Sequence, residues 1–380
     1  MSTTIETLAT LVAFPTISQD GNDELIRYVA EKLKAAGGRI RVLPSSKKGK
    51  SNLFASFGPD TEHGIVLSGH SDVVPVRGQA WSSDPFRLTE RGGKLLARGA
   101  VDMKGFIASM MTVAGRTGPL QRPLHLAISY DEEIGCVGVR DMLQRLASEG
   151  FRADGCIIGE PTGLQVATGH KGKIAGCICC RGEAAHSANP TLGVNAIHLA
   201  SAMIGEVQAL QKWLAAHGVH DAAYALPHSS VHIGTIQGGT ALNIVPDRCD
   251  MAFEIRFLPG DITEELIARL RAAAGPIVAA ARQGGREAEI ELRVDNEYPG
   301  LQTSDDAGIT RLALTATDTG QTTRINFGAE AGLFENTLGL DCVVCGPGSI
   351  DRAHKADEYI LREELEACDR FLARVVESLN

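Results

Sequence analysis

The chain has 380 residues, 44% of them hydrophobic and 22% charged, with a formal net charge of −9. This length predicts two or three domains and a core large enough to need no covalent staples. An acidic balance without a Lys/Arg stripe excludes nucleic acid as an expected partner, and no apolar run approaches 18 residues, so no membrane span is expected either.

The nine cysteines are scattered and outline no disulfide framework, so the default location is a reducing cytoplasm. Residues 1–14 lack a basic leader and a cleavage site. Ile5, Leu8, Leu11 and Val12 fall on one face, which predicts an amphipathic helix. A second helix is predicted over 22–36, with Leu25, Ile26, Val29 and Leu33 on its apolar face and a stop at Gly37-Gly38. The run Lys47-Lys48-Gly49-Lys50 reads as a solvated loop. Short apolar runs at 65–67, 124–129 and 156–158 read as strands, with helical patterns between them at about 104–115 and 137–148. This alternation predicts an α/β domain with a largely parallel sheet.

The pattern changes near Gly176. Strand 174–181, helix 195–216, strands 231–236 and 249–257, helix 263–282 and strand 287–294 give the order βαββαβ, that of a ferredoxin-like domain. Cys177, Cys179 and Cys180 read as core positions there. After Tyr298 the α/β pattern resumes with a helix at 304–317, a strand at 341–345 and a final amphipathic helix from 362. Cys342 and Cys345 read as half-buried strand positions rather than a redox pair. The domain boundaries predicted are 1–176 with 295–380, and an inserted 177–294.

Five metal-ligand types stand after strand-like runs or in loops: His70, Asp102, Glu133, Glu160 and His354. Ligands of open α/β sheets bind beyond the carboxyl ends of strands, so several such ends each offering an imidazole or carboxylate predict one shared site. Two imidazoles and three carboxylates suit a pair of Zn2+ ions with one carboxylate bridging. Taken singly, each has a plainer reading: a loop histidine, a helix cap at Asp102, a first-turn carboxylate at Glu133. Asp72, two residues past His70, is placed to orient that imidazole. In Asp131-Glu132-Glu133, a metal-bound Glu133 leaves Glu132 free as general base.

These segments resemble the motifs of the M20 metallopeptidase and deacylase family. They are Ser68-Gly-His70-Ser-Asp72, Ala100-Val-Asp102-Met-Lys-Gly105, Asp131-Glu-Glu133-Ile-Gly135, Gly159-Glu160-Pro-Thr162 and Gly346 to His354, in family order across nearly the whole chain. The resemblance implies a zinc-peptidase-like catalytic domain interrupted by a smaller lid that also forms a homodimer. It implies two Zn2+, with Co2+ as a substitute: His70 and Glu160 on one ion, Glu133 and His354 on the other, Asp102 bridging. It also implies a cis bond at Asp102-Met103, Glu132 as general base, and a lid hinged near 175–180 and 292–298. Gly182 to Ser187 resembles the segment whose histidine, here His186, stabilises the oxyanion. Asn243 and Arg256 resemble groups that bind the substrate carboxylate, and Gly328 a pocket glycine that lets the backbone approach the ligand. The runs 328–334 and 346–354 resemble those of members that convert N2-acetyl-L-ornithine to L-ornithine and acetate, in arginine biosynthesis, although Ala329 stands where threonine is common. Succinyl-diaminopimelate desuccinylation, a broader aminoacylase or carboxypeptidase activity, and a non-enzymatic binder on the same fold are the alternatives. The expected partner is a small N-acyl amino acid.

Overall fold

The computed structural model describes residues 3–18, 20–61 and 63–380. Helix Thr4–Val12 begins at a reciprocal cap: the Glu6 N–H donates to Thr3 Oγ1 at 3.2 Å and the Thr3 N–H to Glu6 Oε2 at 2.8 Å. Met1 and Ser2, part of the predicted first helix, lie outside the described residues. Helix Asp23–Ala35 carries acids in its first turn and Lys32 and Lys34 in its last, matching the helix dipole, and the chain turns away through Gly37 at φ 93°.

The chain forms two compact units. The larger comprises residues up to His170 and from Leu301 onward; the smaller is Lys171–Gly300. The smaller unit thus takes in residues on both sides of the predicted 177–294. The reason is strand continuity: Gly172–Arg181 pairs along its full length with Arg248–Phe257, and from Lys173 to Arg181 with Glu289–Tyr298. The segments 175–180 and 292–298, expected as hinges, lie within those paired strands, the second reaching the strand's last residue, Tyr298.

In the larger unit a nine-stranded sheet runs Arg39–Pro44, Ser51–Phe57, Leu124–Ser129, Ile65–His70, Gly155–Pro161, Cys342–Gly346, Val166–His170, Leu301–Gln302, with Thr322–Ile325 also paired to Val166–His170. Four consecutive strands, from Leu124–Ser129 to Cys342–Gly346, are parallel, and every residue of the four is buried. Strands covered on both faces read as unbroken apolar runs, which is why these were visible in the sequence. One apolar cluster gathers the first two helices, Lys104–Ala114, Gly308–Thr317 and Arg362–Glu377 against the sheet; another gathers Val139–Ser148 and Ala331–Leu338. Each fully buried Leu, Ile or Val in these layers contributes about 1.5–3 kcal/mol. Cys342 and Cys345 are fully buried, not half-buried. Among the described residues no helix is long and apolar enough to cross a membrane.

The smaller unit is a four-stranded antiparallel sheet in the order Ser230–Gly238, Arg248–Phe257, Gly172–Arg181, Glu289–Tyr298, with helices Ala196–His217 and Thr263–Ala281 sharing its core. Chain order and strand order are those of a ferredoxin-like βαββαβ domain.

Candidate metal centre

The carboxyl ends of the four parallel strands lie side by side, and each delivers a candidate group. His70 ends its strand, Glu160 sits one residue before the end of Gly155–Pro161, Glu132 and Glu133 lie in the turn after Ser129, and His354 follows Gly346 across a short 3-10 turn. His354 holds φ at 61°. Asp102 comes from the turn that opens helix Lys104–Ala114, and its bond to Met103 is cis.

These side chains converge. His70 Nε2 lies 3.1 Å from Asp102 Oδ1 and 3.6 Å from Glu160 Oε1. His354 Nε2 lies 3.2 Å from Asp102 Oδ2 and 3.0 Å from Glu133 Oε2. Asp102 therefore stands between the two imidazoles, one oxygen toward each. Donor atoms of His70, Glu132 and Glu160, and of His70, Asp102 and Glu133, lie within 4.8 Å of one another. His70, Asp102 and Glu160 are buried, while the His354 side chain keeps 51% of its surface and opens the cluster to solvent.

The donor set fits divalent cations. Glu133 Oε1 is enclosed and has no hydrogen-bond partner among the described residues. Burial, with Glu133 and Glu330 adding repulsion, pushes Glu132 up to about 8. Burial and the Asp102 charge likewise hold Glu160 well above the usual carboxylate range. Hydrogen bonds to Asp102 and Glu133 raise His354 to about 10. Carboxylates that hold a proton on an imidazole this firmly attract a metal cation by the same field, and the two compete for the same nitrogens.

A supporting layer fixes this arrangement. His70 Nδ1 meets the Asp72 backbone carbonyl at 2.9 Å and the Asp72 carboxylate at 3.4 Å. That carboxylate accepts the Ser18 hydroxyl at 2.8 Å and the backbone N–H groups of Glu132 and Glu133 at 3.1 and 3.3 Å. Asp72 thus orients His70 largely through its carbonyl, and its side chain positions the turn that carries Glu132. Asp131 turns the other way, onto Lys50 and Lys47, so the third acid of the run is neutralised. Lys50 is 8% exposed, so it belongs to the fold and not to a solvated loop. The Cys136 thiol donates to Glu132 Oε1 at 3.3 Å. Glu358 and Arg98 escaped the sequence reading, and Glu330 was quoted only as part of the 328–334 run; burial reveals these three, because a lone Glu or Arg in sequence looks like surface.

Residues 66–378 match the model of peptidase family M20/M25/M40. The chain belongs to this family. It is 31% identical to an acetylornithine deacetylase of Pasteurella multocida (strain Pm70), over 98% of this chain and 97% of that protein. An M20 family metallo-carboxypeptidase from Sulfolobus solfataricus superposes with a TM-score of 0.79 at 20% identity, covering 99% of both chains. A dinuclear metal-binding M20 peptidase from Bacillus subtilis superposes at 0.71 with 18% identity, covering 99% of this chain and 97% of its own. At such identities these structures bear on the fold alone.

The other residues expected in the site divide between the units. Gly328 lies in the larger unit, in the bend between Thr322–Ile325 and Ala331–Leu338, two residues before the buried Glu330. In the smaller unit His186 and Asn243 come from two loops that meet: His186 bridges to Ile244, and the Ser187 N–H donates to the Asn243 carbonyl at 3.1 Å. His186 Nδ1 accepts the Ala188 N–H at 3.0 Å. The Arg256 fork is engaged by Glu254, at 2.7 Å from Nε and 3.3 Å from Nη2, with Nη1 on the Tyr298 hydroxyl at 3.2 Å.

Proposed function

We propose that this protein hydrolyses the amide bond of N-acyl amino acids, with N2-acetyl-L-ornithine as the leading substrate and L-ornithine and acetate as products. One observation carries the hydrolytic reading: five side chains of metal-ligand type, from separate segments, gather around Asp102, with Glu132 beside them. The choice of substrate rests on the full-length likeness to an acetylornithine deacetylase.

In this reading His70 and Glu160 would hold one Zn2+ and Glu133 and His354 the other, with Asp102 as the shared carboxylate, and Co2+ would substitute. Ions bound there supply Lewis-acid polarisation of the acyl carbonyl and lower the pKa of the attacking water. Glu132 takes the proton from that water as it adds to the carbonyl carbon. It then gives the proton to the amide nitrogen, so that the C–N bond breaks with a neutral amine leaving. Burial suits Glu132 to this exchange by lifting its pKa toward neutrality. Asp72 keeps the turn of Glu132 in place. His186 is assigned to the oxyanion, Asn243 and Arg256 to the substrate carboxylate, and Gly328 to close backbone approach by the ligand. The smaller unit serves as lid and dimer surface, and the setting is cytoplasmic arginine biosynthesis.

The test is a substrate panel with the zinc-loaded protein: N-acetyl, N-succinyl and N-formyl amino acids, N2-acetyl-L-ornithine and N-succinyl-diaminopimelate among them, and dipeptides. Highest kcat/KM on N2-acetyl-L-ornithine is the expected result. A preference for the succinyl compound or for dipeptides would overturn the substrate assignment, and no amide hydrolysis with metal bound would overturn the enzyme assignment.

A further inference from the structure

A second donor group lies wholly within the smaller unit. Strand Gly172–Arg181 alternates its side chains. Ile174, Ile178 and Cys180 enter the apolar core shared with the helices, while Cys177 and Cys179 occupy the opposite face. This corrects the expectation that all three cysteines are core. The two thiols lie 3.3 Å apart. Asp250 faces Cys179 across the neighbouring strand, and donor atoms of Cys177, Cys179 and Asp250 fall within 4.8 Å of one another. Opposite Cys177 the same strand places Ala252, which brings no competing polar group.

The Asp250 carboxylate is already aimed. Its Oδ2 is fixed by Arg248 at 2.7 Å, and its Oδ1 is enclosed with no hydrogen-bond partner among the described residues. Arg293, opposite Cys177, pairs with Asp295 at 2.6 Å. With both thiols ionised, the two sulfurs, Asp250, Asp295 and Glu291, which stands opposite Cys179 on the other neighbouring strand, outnumber Arg248 and Arg293, so the surroundings favour a cation.

We propose that Cys177, Cys179 and Asp250 form a binding site for one thiophilic divalent cation of the Zn2+ or Cd2+ class, with water completing the shell. Thiolates select soft, filled-shell ions, whereas the histidine and carboxylate cluster of the larger unit contains no sulfur ligand. At metal–sulfur distances of about 2.3 Å, tetrahedral coordination sets the sulfurs about 3.8 Å apart, so the pair opens by roughly half an ångström. Each thiol gives its proton to solvent on binding. A disulfide fits less well: residues two apart in a strand have Cα atoms about 6.6–6.8 Å apart, at the outer edge of disulfide geometry.

The experiment titrates the reduced full-length protein with Cd2+ and follows thiolate-to-metal charge-transfer absorption in the ultraviolet. The wild type should develop the band and saturate at one thiolate-bound ion per chain. Cys177→Ser/Cys179→Ser should show none while keeping its circular dichroism and, when loaded with Zn2+, its turnover. Asp250→Asn should bind at least about tenfold more weakly, as expected when a group in a metal site is lost. A wild type without the band, or a double variant that keeps it, overturns the site, and an unchanged Asp250→Asn removes that ligand from it. Two thiols that vanish together on mild oxidation in a wild type giving no band would mark a redox pair instead.

Discussion

Glu358 accepts the backbone N–H groups of Val101 and Asp102 through one carboxylate oxygen, at 3.0 and 3.2 Å, and the Arg98 guanidinium through the other at 2.5 Å. Arg98 reaches on to Gln79 at 2.6 Å, and Gln79 donates to the His354 carbonyl at 3.0 Å. One chain of contacts therefore ties the backbone of Asp102 to that of His354. Glu358→Gln keeps the shape but weakens the hold on Asp102. It should lower metal affinity about 10–100-fold, measured by competition with a chromophoric chelator. Glu358→Ala should also cost about 3–5 kcal/mol in urea denaturation, because Arg98 is left buried without its counter-charge. Wild-type affinity in Glu358→Gln would show that the network does not position the metal ligands.

Glu132 binds neither imidazole in the geometry above, yet it shares the cluster and receives the Cys136 thiol. Glu132→Gln should retain both cations and lose at least about 10²-fold in kcat, the lower range for general acid–base catalysis. Metal analysis and steady-state rates on the same sample decide the matter. A variant that lost metal in proportion to activity would make Glu132 a ligand and not the base.

Arg256 is held by Glu254, which Lys173 also contacts at 3.1 Å. To anchor a substrate carboxylate, the guanidinium must share its fork with that neighbour. Arg256→Ala should therefore raise KM for N-acetyl amino acids far more than for their carboxamides, with kcat little changed. Equal effects on acids and amides would reduce Arg256 to a structural ion pair.

The parallel strands were legible because burial on both faces leaves an apolar run, and four of the donors because they stand at or just past the ends of such runs; Asp102, in the turn before helix Lys104–Ala114, was legible by its motif. Val166–His170 and Thr322–Ile325 were not, since their mixed polar sequences pair inside the sheet without a readable period. Helix Ala331–Leu338 spans two turns and begins with glycine in second place, too short for a periodicity argument. Lys50 and Arg98 look like surface in sequence. Only the fold brings Asp131 and Glu358, the latter 260 residues away from Arg98, to meet them. Pairings of that span carry no local signal.

Gly159 precedes Glu160 and lies against Phe106 of the helix below. A Cβ there would fall 2.0 Å from the ring, with no free space behind it, since Phe106 is fully buried. Gly159→Ala must push the strand or the ring aside, an overpacking cost of about 1–3 kcal/mol, and it moves Glu160 with the strand. Thermal denaturation should show the loss of stability and chelator competition the loss of metal affinity. Adding Phe106→Leu should restore part of both. A double variant no better than the single would place the damage elsewhere.

His125 stands on strand Leu124–Ser129, away from the cluster, with Nδ1 2.8 Å from the Ser56 hydroxyl and its ring against Phe54 and Phe151. Burial, aided by Arg39, lowers it to about 4 from the ordinary 6.5. The unfolded chain therefore takes up a proton at a higher pH than the folded one. Stability from this group is complete above pH 6.5 and falls as pH drops through 6.5 toward 4, by about 3 kcal/mol in all. Urea denaturation of metal-free protein across that range should show the slope, and His125→Gln should flatten it whatever its effect at neutral pH. The metal-free state matters because His70 and His354 also compete with protons for their ligand nitrogens, and only the difference between wild type and variant isolates His125. Parallel pH profiles for the two proteins would mean that folding does not change the proton affinity of this imidazole.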